Sequence, residues 1–349
     1  MKKVMIGMSG GVDSSVSAAL LKEKGYEVSG AIMRLWDYSD ADKKRFEASV
    51  CDAQKVCDKI GIPLHIIDFT ELFRDKVVSY FIDEYKNGRT PNPCIMCNKH
   101  LKFGAMLDKA MEMGMDYVAT GHYARIQTDE NGKYQLVVSE AAKKDQSYFL
   151  YNFTQYQLSK TLMPLGDYTK DEVRELSEKY DLPVSQKPDS QEICFVPNDD
   201  YASFITEYAR LNPKEGKILD IQGNTIGTHK GLIYYTIGQR KGIGAYGRPM
   251  FVMEINPKNN TITLGEKGME FSSSLTAHSV NFISGELPKE PFAVQAKVRY
   301  QASPAPATVY PLDSDSVRVE FEEPQRAITS GQSVVFYDQN IILGGGIVK

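Results

Sequence analysis

Two stretches of this chain carry residue types and spacings that can do chemistry. The first is Ser9-Gly10-Gly11-Val12-Asp13-Ser14-Ser15. It follows the apolar run Val4-Met5-Ile6-Gly7-Met8 and leads into a helical pattern with Val16, Ala19 and Leu20 on its inner face. A strand, a glycine-rich turn and a helix N-terminus make an anion cradle, because backbone N–H groups point outward and the helix dipole favours negative charge. Gly10 and Gly11 let an anion approach the backbone closely. Ser9, Ser14 and Ser15 add hydroxyl donors, and Asp13 offers a carboxylate to a magnesium ion on a pyrophosphate. The second stretch is a set of thiols. Cys94 and Cys97 lie within residues 90–99 and Cys194 within residues 187–195. Pro91 and Pro93 force an extended approach. The pattern then sets Cys97 at the start of a helix over Asn98–Met113, with Lys99 and Lys102 nearby. A lowered thiol pKa and a nucleophilic role are expected there. The polar, proline-bearing segment around Cys194 is expected to be a mobile loop rather than core.

Other chemistries compete for these residues. The common P-loop needs a Lys followed by Ser or Thr after its second Gly, but after the loop no Lys occurs until Lys22. The glycine spacing is also wrong for a dinucleotide fingerprint, and an ordinary glycine-rich turn is the plain alternative. Cys94 and Cys97 have the spacing of a zinc half-site, yet no second pair stands at a matching distance and the five His are scattered. A [4Fe-4S] cluster on Cys94, Cys97 and Cys194, with one iron left open, is the stronger rival. Cys51 and Cys57 fall on different helix faces and read as small buried hydrophobes.

The elements that must position these groups alternate. Strands are expected at Val4–Met8, Tyr26–Met33, Leu64–Phe69 and Tyr117–Ala119. Helices are expected near Val16–Lys24, Asp52–Ile60, Leu72–Tyr85 and Asn98–Met113. Such alternation implies a parallel sheet with helices on both faces and a ligand at the carboxyl ends of the strands. The Ser9 loop, Met33 and Thr120-Gly121-His122 fall at those ends. Beyond Val196 glycines punctuate short strands, including Ile233–Ile237 and Met250–Ile255. From about Ser279 the alternation is all-β and suggests a small barrel.

Bulk properties bound the reading. A chain of 349 residues predicts two or three domains. Its apolar runs are too short to span a bilayer. Five Cys and an N-terminus that enters a strand without an export signal fit a reducing cytoplasm. The net charge of −4 does not advertise a nucleic-acid binder. Two windows without acid, Tyr85 to Leu107 and Ile221 to Met253, contain Lys86, Arg89, Lys99, Lys102, Lys230, Arg240, Lys241 and Arg248. They could form one phosphate-tracking surface, or simply two solvated loops.

The Ser9–Ser15 loop resembles the PP-loop of enzymes that split ATP into AMP and pyrophosphate. Several further blocks, in order along the chain, make it resemble the bacterial tRNA-specific 2-thiouridylases. They are Thr90–Phe103, Ala119–Arg125, Asp145–Phe149, Lys187–Val196, His229–Gly231, Tyr235–Gly242 and Arg326–Gln332. The resemblance implies an α/β, Rossmann-like doubly wound PP-loop domain (1–200), a small central tRNA-binding domain (201–275) and a C-terminal β-barrel (276–349). It implies ATP-dependent 2-thiolation of the wobble uridine of tRNA, by adenylation of the uracil C2 oxygen and sulfur transfer from a cysteine persulfide. Cys194 would carry the persulfide and Cys97 would be the nucleophile. Gly7, Met8, Ser9, Gly10, Gly11, Val12, Asp13 and Ser14 would contact ATP, and Met33 and Gly121 would frame adenine. Asn92, Pro93 and Cys94 would meet the target base. His122, Lys143, Lys144, Asp145, Arg299, Tyr300 and Gln332 would contact tRNA. The implied partners are tRNAs with wobble-uridine anticodons of the Lys, Glu and Gln type, and a cysteine desulfurase or sulfur-relay protein. ATP with Mg2+ is implied, and no membrane. Many family members have Asp where Cys94 stands, which unsettles the base-contact role and favours the cluster. Two further readings remain: a PP-loop synthetase that adenylates a carboxylate, and a non-catalytic RNA-binding protein.

Overall fold

The computed structural model describes residues 1–141, 144–188 and 193–349. Strands β1 (Lys3–Gly7), β2 (Glu27–Arg34), β3 (Leu64–Asp68) and β4 (Tyr117–Ala119) form a parallel sheet. Between β4 and the next strand of this sheet the chain forms a hairpin, β5 (Arg125–Thr128) and β6 (Tyr134–Val137). Strand β7 (Thr161–Leu162) then completes the sheet in the order β3-β2-β1-β4-β7. The order reverses at β1, which has β2 on one side and β4 on the other. The crevice of a doubly wound sheet opens at that reversal. Val4, Met5 and Ile6 are fully buried. Val4 and Ile6 join one core and Met5 the other, so both faces of β1 are covered, as parallel sheets require.

Helix α1 (Val12–Glu23) starts at Gly11 with no side-chain cap. Its first amides therefore have no capping side chain. Helix α2 runs over Asp40–Ile60, twelve residues earlier than the apolar pattern predicts. A capping box between Ser39 and Asp42 starts it, and Gly61 in the left-handed region ends it. Its first turns are charged and mostly exposed, so hydrophobic periodicity could not reveal them.

The helix expected from Asn98 begins at Pro93, because proline suits a first turn whose N–H needs no partner. It continues from Pro93–Cys97 through a π-helical stretch, Asn98–Ala105, into Met106–Glu112. Cys97 thus lies inside the helix, not at its N-terminus. A second helical run over residues 70–86 has its own π-helical stretch at Arg74–Ser79.

The central region contains β8 (Gly216–Leu219), β9 (Thr225–His229), β10 (Met250–Asn256) and β11 (Thr261–Glu266) in the order β10-β11-β8-β9. The strand expected at Ile233–Ile237 is instead a single 3-10 turn, Leu232–Tyr234. Six strands follow: β12 (Phe271–Phe282), β13 (Phe292–Lys297), β14 (Ala305–Pro311), β15 (Ser316–Arg326), β16 (Ser333–Asp338) and β17 (Ile341–Val348). Pairing of β12 with β17 closes them into a barrel. Strand β17 also pairs with β6, so the hairpin of the first region extends the barrel sheet.

The cores are shared. Ile233 and Ile347 pack with Phe73, Phe81 and Cys97 in one cluster. The loop after Lys86 is a three-way junction. A β-carbon on Gly88 would lie 2.7 Å from Ile255 Cγ2, Thr90 N–H donates to Ser330 O at 2.8 Å, and Thr90 Oγ1 lies 3.4 Å from Thr236 Oγ1. Central region and barrel together hold the segment that delivers Cys94 and Cys97.

Candidate nucleotide and thiol site

The glycine-rich loop leaves β1 and turns into α1 under hydroxyl control. Ser14 Oγ accepts from Ser9 N–H and donates to Gly11 O, both at 3.2 Å, and Ser15 Oγ donates to Gly11 O at 2.7 Å. Gly10 has φ +70°, and a β-carbon there would lie 2.9 Å from Ser49 O of α2, so only glycine fits. Gly121, in the loop after β4, closes the other side. Its β-carbon would lie 2.9 Å from Asp13 C and from Ser14 N. Gly7, Met8, Ser9, Gly10, Gly11, Val12, Asp13, Ser14 and Gly121 are thus one constellation at the reversal point. Met33 sits near the carboxyl end of the neighbouring β2, half-buried.

Four residues that sequence reasoning missed surround this loop. Asp13 Oδ1 accepts from Tyr123 OH at 2.8 Å and from Lys170 Nζ at 2.7 Å. Lys187 Nζ donates to Gly10 O at 2.9 Å and to Asp52 Oδ2 at 2.8 Å. The Lys187 ammonium holds the Asp52 carboxyl below its usual range. One signal for Lys170 was available: it opens the Lys170–Lys179 helix, directly after its capping residue Thr169. A cation in a first turn opposes the dipole, which points to a partner elsewhere. Asp13, expected at a magnesium ion, is here an ion-pair acceptor.

The thiols converge from two segments. Cys94 and Cys97 share one helix, and Cys194 comes from the loop before the Pro197–Asp199 turn. No two are joined, and Cys194 feels the charge of both others and of Lys102. Phe195, expected in a mobile loop, is a core residue, as is the following Val196. Phe195 packs edge-on against Phe73 and Phe81, with ring centroids 5.5 Å and 5.3 Å away. Arg45 Nη1 donates to Cys194 O at 3.3 Å. Cys194 is therefore anchored on both its carbonyl and its C-terminal side. Cys51, expected to be buried, is exposed, whereas Cys57 is core.

Burial overrides the lowered thiol pKa expected at Cys97, pushing it up to about 11 against the pull of Lys102. Cys194 is pushed up to about 12 and Cys94 upward as well, again by desolvation first. Cys94 and Cys194 nonetheless expose their side chains. Both residues are thus open to solvent on one side while their sulfurs sit among protein atoms. Lys99, expected to assist Cys97, is exposed and exerts no resolved effect on it. Among the described residues no group of three or more His, Cys, Asp or Glu stands close enough to hold a metal ion. As placed, Cys94, Cys97 and Cys194 therefore do not form a ligand set for a cluster.

The expected tRNA contacts divide. Lys144 and Asp145 act on the phenol of Tyr300, and Asp145 also acts on Lys297, so segments far apart in sequence meet. Tyr300 lies against Phe149 with centroids 4.5 Å apart, and Lys297 Nζ stands 5.7 Å from the Tyr300 ring. Arg299 is exposed beside them. Lys143 lies outside the described residues. Asp145 itself is buried and spent on its own turn, accepting from Ser139 N–H at 3.0 Å and Ser147 Oγ at 2.7 Å. Gln332 Nε2 donates to Thr90 O at 2.8 Å, which makes it a strut of the three-way junction. His122 is buried, with both ring nitrogens engaged inside the protein. Asn92 and Pro93 precede Cys94 as N-cap and first helical residue.

The acid-free windows are partly neutralised from outside. Lys86 pairs with Asp83 at 3.6 Å, Arg248 pairs with Glu266 at 2.7 Å, and Glu84 holds Arg89 through both carboxylate oxygens. No helix among the described residues is long and apolar enough to cross a membrane.

Three family models match consecutive parts of the chain. They are a tRNA methyl transferase HUP domain (residues 2–198), a tRNA methyl transferase PRC-barrel domain (202–266) and an aminomethyltransferase beta-barrel domain (272–348). The chain is 54% identical to the tRNA-specific 2-thiouridylase MnmA of Clostridioides difficile, covering 100% of this chain and 98% of that one. It is 52% identical to the tRNA-specific 2-thiouridylase MnmA of Acetivibrio thermocellus, covering 100% and 99%. The domain descriptions speak of methyl transfer, whereas the full-length relatives are named for thiolation. Thiols that act on one another within the same matched domain as the glycine-rich loop agree with the second.

Proposed function

This chain belongs to the family of tRNA-specific 2-thiouridylases, and on that premise we propose how its own residues divide the work. The activity is ATP-dependent 2-thiolation of tRNA by a PP-loop enzyme. The substrate position is the wobble uridine, in tRNAs with Lys, Glu and Gln type anticodons. A base in an anticodon loop can leave its stack to enter a recess.

The uracil C2 oxygen attacks the α-phosphorus of ATP and pyrophosphate leaves. The amides of Gly11, Val12 and Asp13 and the hydroxyls of Ser9 and Ser14 receive its charge. Lys170 and Lys187 stand ready to shift from Asp13 and Asp52 onto phosphate oxygens. A magnesium ion, if present on those oxygens, would take Asp13 as its protein carboxylate and supply further charge neutralisation. Met33 and Gly121 border adenine.

Sulfur arrives on Cys194 as a persulfide, from a cysteine desulfurase or relay protein that meets its exposed side chain. Cys97 thiolate attacks Cys194 Sγ. The Cys97–Cys194 bond forms, the persulfide S–S bond breaks and hydrosulfide leaves. Hydrosulfide attacks C2, AMP departs, and a two-electron thiol reductant restores both cysteines. In the alternative order the terminal persulfide sulfur attacks C2 first, and Cys97 then frees the thiolated base. Both orders need Cys97 and Cys194 in one recess, and that convergence is the observation that carries the reading. Cys94 borders the base with Asn92 and Pro93. Lys144, Lys297, Arg299 and Tyr300 offer charge and a ring to the RNA.

The test is nucleoside mass spectrometry of tRNA incubated with ATP and a persulfide donor. 2-Thiouridine is expected at the wobble position. Cys97→Ser and Cys194→Ser should each abolish it, and Cys51→Ser should not. Retained activity in Cys97→Ser would remove its assignment as nucleophile. Pyrophosphate release driven by a free carboxylate, without tRNA, would favour the synthetase.

A further inference from the structure

We propose that Lys102, tethered by a neutral His122, is the residue that holds negative charge on sulfur in the thiol recess, and that His122 acts by positioning Lys102 rather than by contacting tRNA. The proposal rests on the thiol reading above and assigns it two further residues.

Backbone geometry comes first. Lys102 is five residues beyond Cys97. In a regular α-helix five residues turn about 140° past a full revolution, facing the side chain away. The stretch Asn98–Ala105 is π-helical, and its i→i+5 bonding sets Lys102 roughly one turn above Cys97. Lys102 therefore returns to the thiol face, where it acts on Cys94, Cys97 and Cys194 together. The titratable groups facing Cys97 are Lys102 and Cys94 on its own helix and Cys194 on the opposing loop.

The second observation is the tether. Lys102 Nζ lies 3.3 Å from His122 Nε2, and Thr120 Oγ1 lies 2.7 Å from His122 Nδ1. An ammonium has only protons to offer, so Nε2 must accept. The imidazole is then neutral, with its proton on Nδ1 and donated to Thr120. Burial and the Lys102 charge both keep His122 from protonating. With both nitrogens engaged and the ring buried, His122 has no polar atom to offer RNA. The preceding residue, Gly121, rests on the start of α1. One three-residue loop thus touches the nucleotide cradle and the lysine of the thiol recess.

Sulfur transfer needs this cation. Attack requires one thiolate, and hydrosulfide leaves carrying the same single charge. An adjacent ammonium favours both species.

The test is alkylation of each cysteine by iodoacetamide from pH 7 to 11, read peptide by peptide in the full-length protein, beside tRNA affinity. Lys102→Met should alkylate Cys94, the exposed thiol on the same helix, about tenfold more slowly near pH 8, the size of one pK unit. Its tRNA affinity should change less than about twofold, since a phosphate contact is not what is lost. Lys102→Arg keeps the charge and should restore most of the rate. His122→Ala should show the same alkylation defect in weaker form, and His122→Gln, which keeps an acceptor, a smaller one. Unchanged alkylation in Lys102→Met overturns the proposal. So does a loss of tRNA affinity in His122→Ala with alkylation intact. Lys102→Arg and His122→Gln keep the test decisive if the truncations fail to fold. Because alkylation needs neither tRNA nor ATP, its result is separable from any failure of thiolation itself.

Discussion

At the residue scale, charges around the nucleotide loop are paired with one another. Lys170 sits on Asp13, and Lys187 sits on Gly10 O and Asp52. On the proposed function, an ATP phosphate entering the cradle would compete for both ammonium groups, so each lysine should matter more to ATP affinity than to stability. Lys187→Met should raise the KM for ATP by about tenfold to a hundredfold, the range expected for losing a charged hydrogen bond. Steady-state pyrophosphate release with saturating tRNA measures it, and a KM within twofold of the parent would put Lys187 outside the phosphate site. The types Ser9, Gly10, Gly11 and Asp13 were legible as an anion cradle from spacing alone. Lys170 and Lys187 were not, because they lie far along the chain and reach the loop only through folding.

At the element scale, glycines mark where one element must touch another. Gly121 allows the loop after β4 to lie on the start of α1. Gly121→Ala would force the two apart. A destabilisation of about 1–3 kcal/mol is expected, as for other overpacked contacts, together with weaker ATP binding. Calorimetry of folding and of nucleotide binding checks both. Gly331 is a different case: it has φ +89°, and a β-carbon there would lie 2.9 Å from Thr90 N. Gly331→Ala should loosen the barrel from the Thr90 loop and reduce thiolation, while nucleotide binding by the parallel-sheet region changes little. Nucleoside mass spectrometry and isothermal titration separate the two effects. The alternation of strands and helices was readable, since β1 and β4 hold short apolar runs and β2 is mostly apolar between its charged ends. The first turns of α2 and the π-helical stretch after Cys97 were not. One rests on a local capping box, and the other is a change of helical register that preserves the apolar pattern.

At the scale of the whole molecule, buried neutral groups set the response to pH. His122 has its pKa well below 6.5 in the folded protein and near 6.5 when unfolded. Below about pH 6.5 the unfolded chain binds the extra proton, so stability falls as pH drops. Cys57, Cys97 and Cys194 shift the other way, to about 11, 11 and 12. Above about pH 9 the unfolded chain loses protons that the fold retains, so stability falls again as pH rises. The midpoint of thermal unfolding, followed from pH 5 to 10.5, should therefore be highest between those limits. A midpoint still rising at pH 10 would contradict the buried thiols. The sequence by itself determined the glycine-rich turn between strand and helix, the parallel sheet and the barrel, because each is written in local spacing and periodicity. Only tertiary structure decided that Cys97 is buried, that Gln332 braces a junction, and that Lys102 meets His122. Desolvation and charge pairing depend on what surrounds a side chain in space, and neighbours in space are not neighbours in sequence.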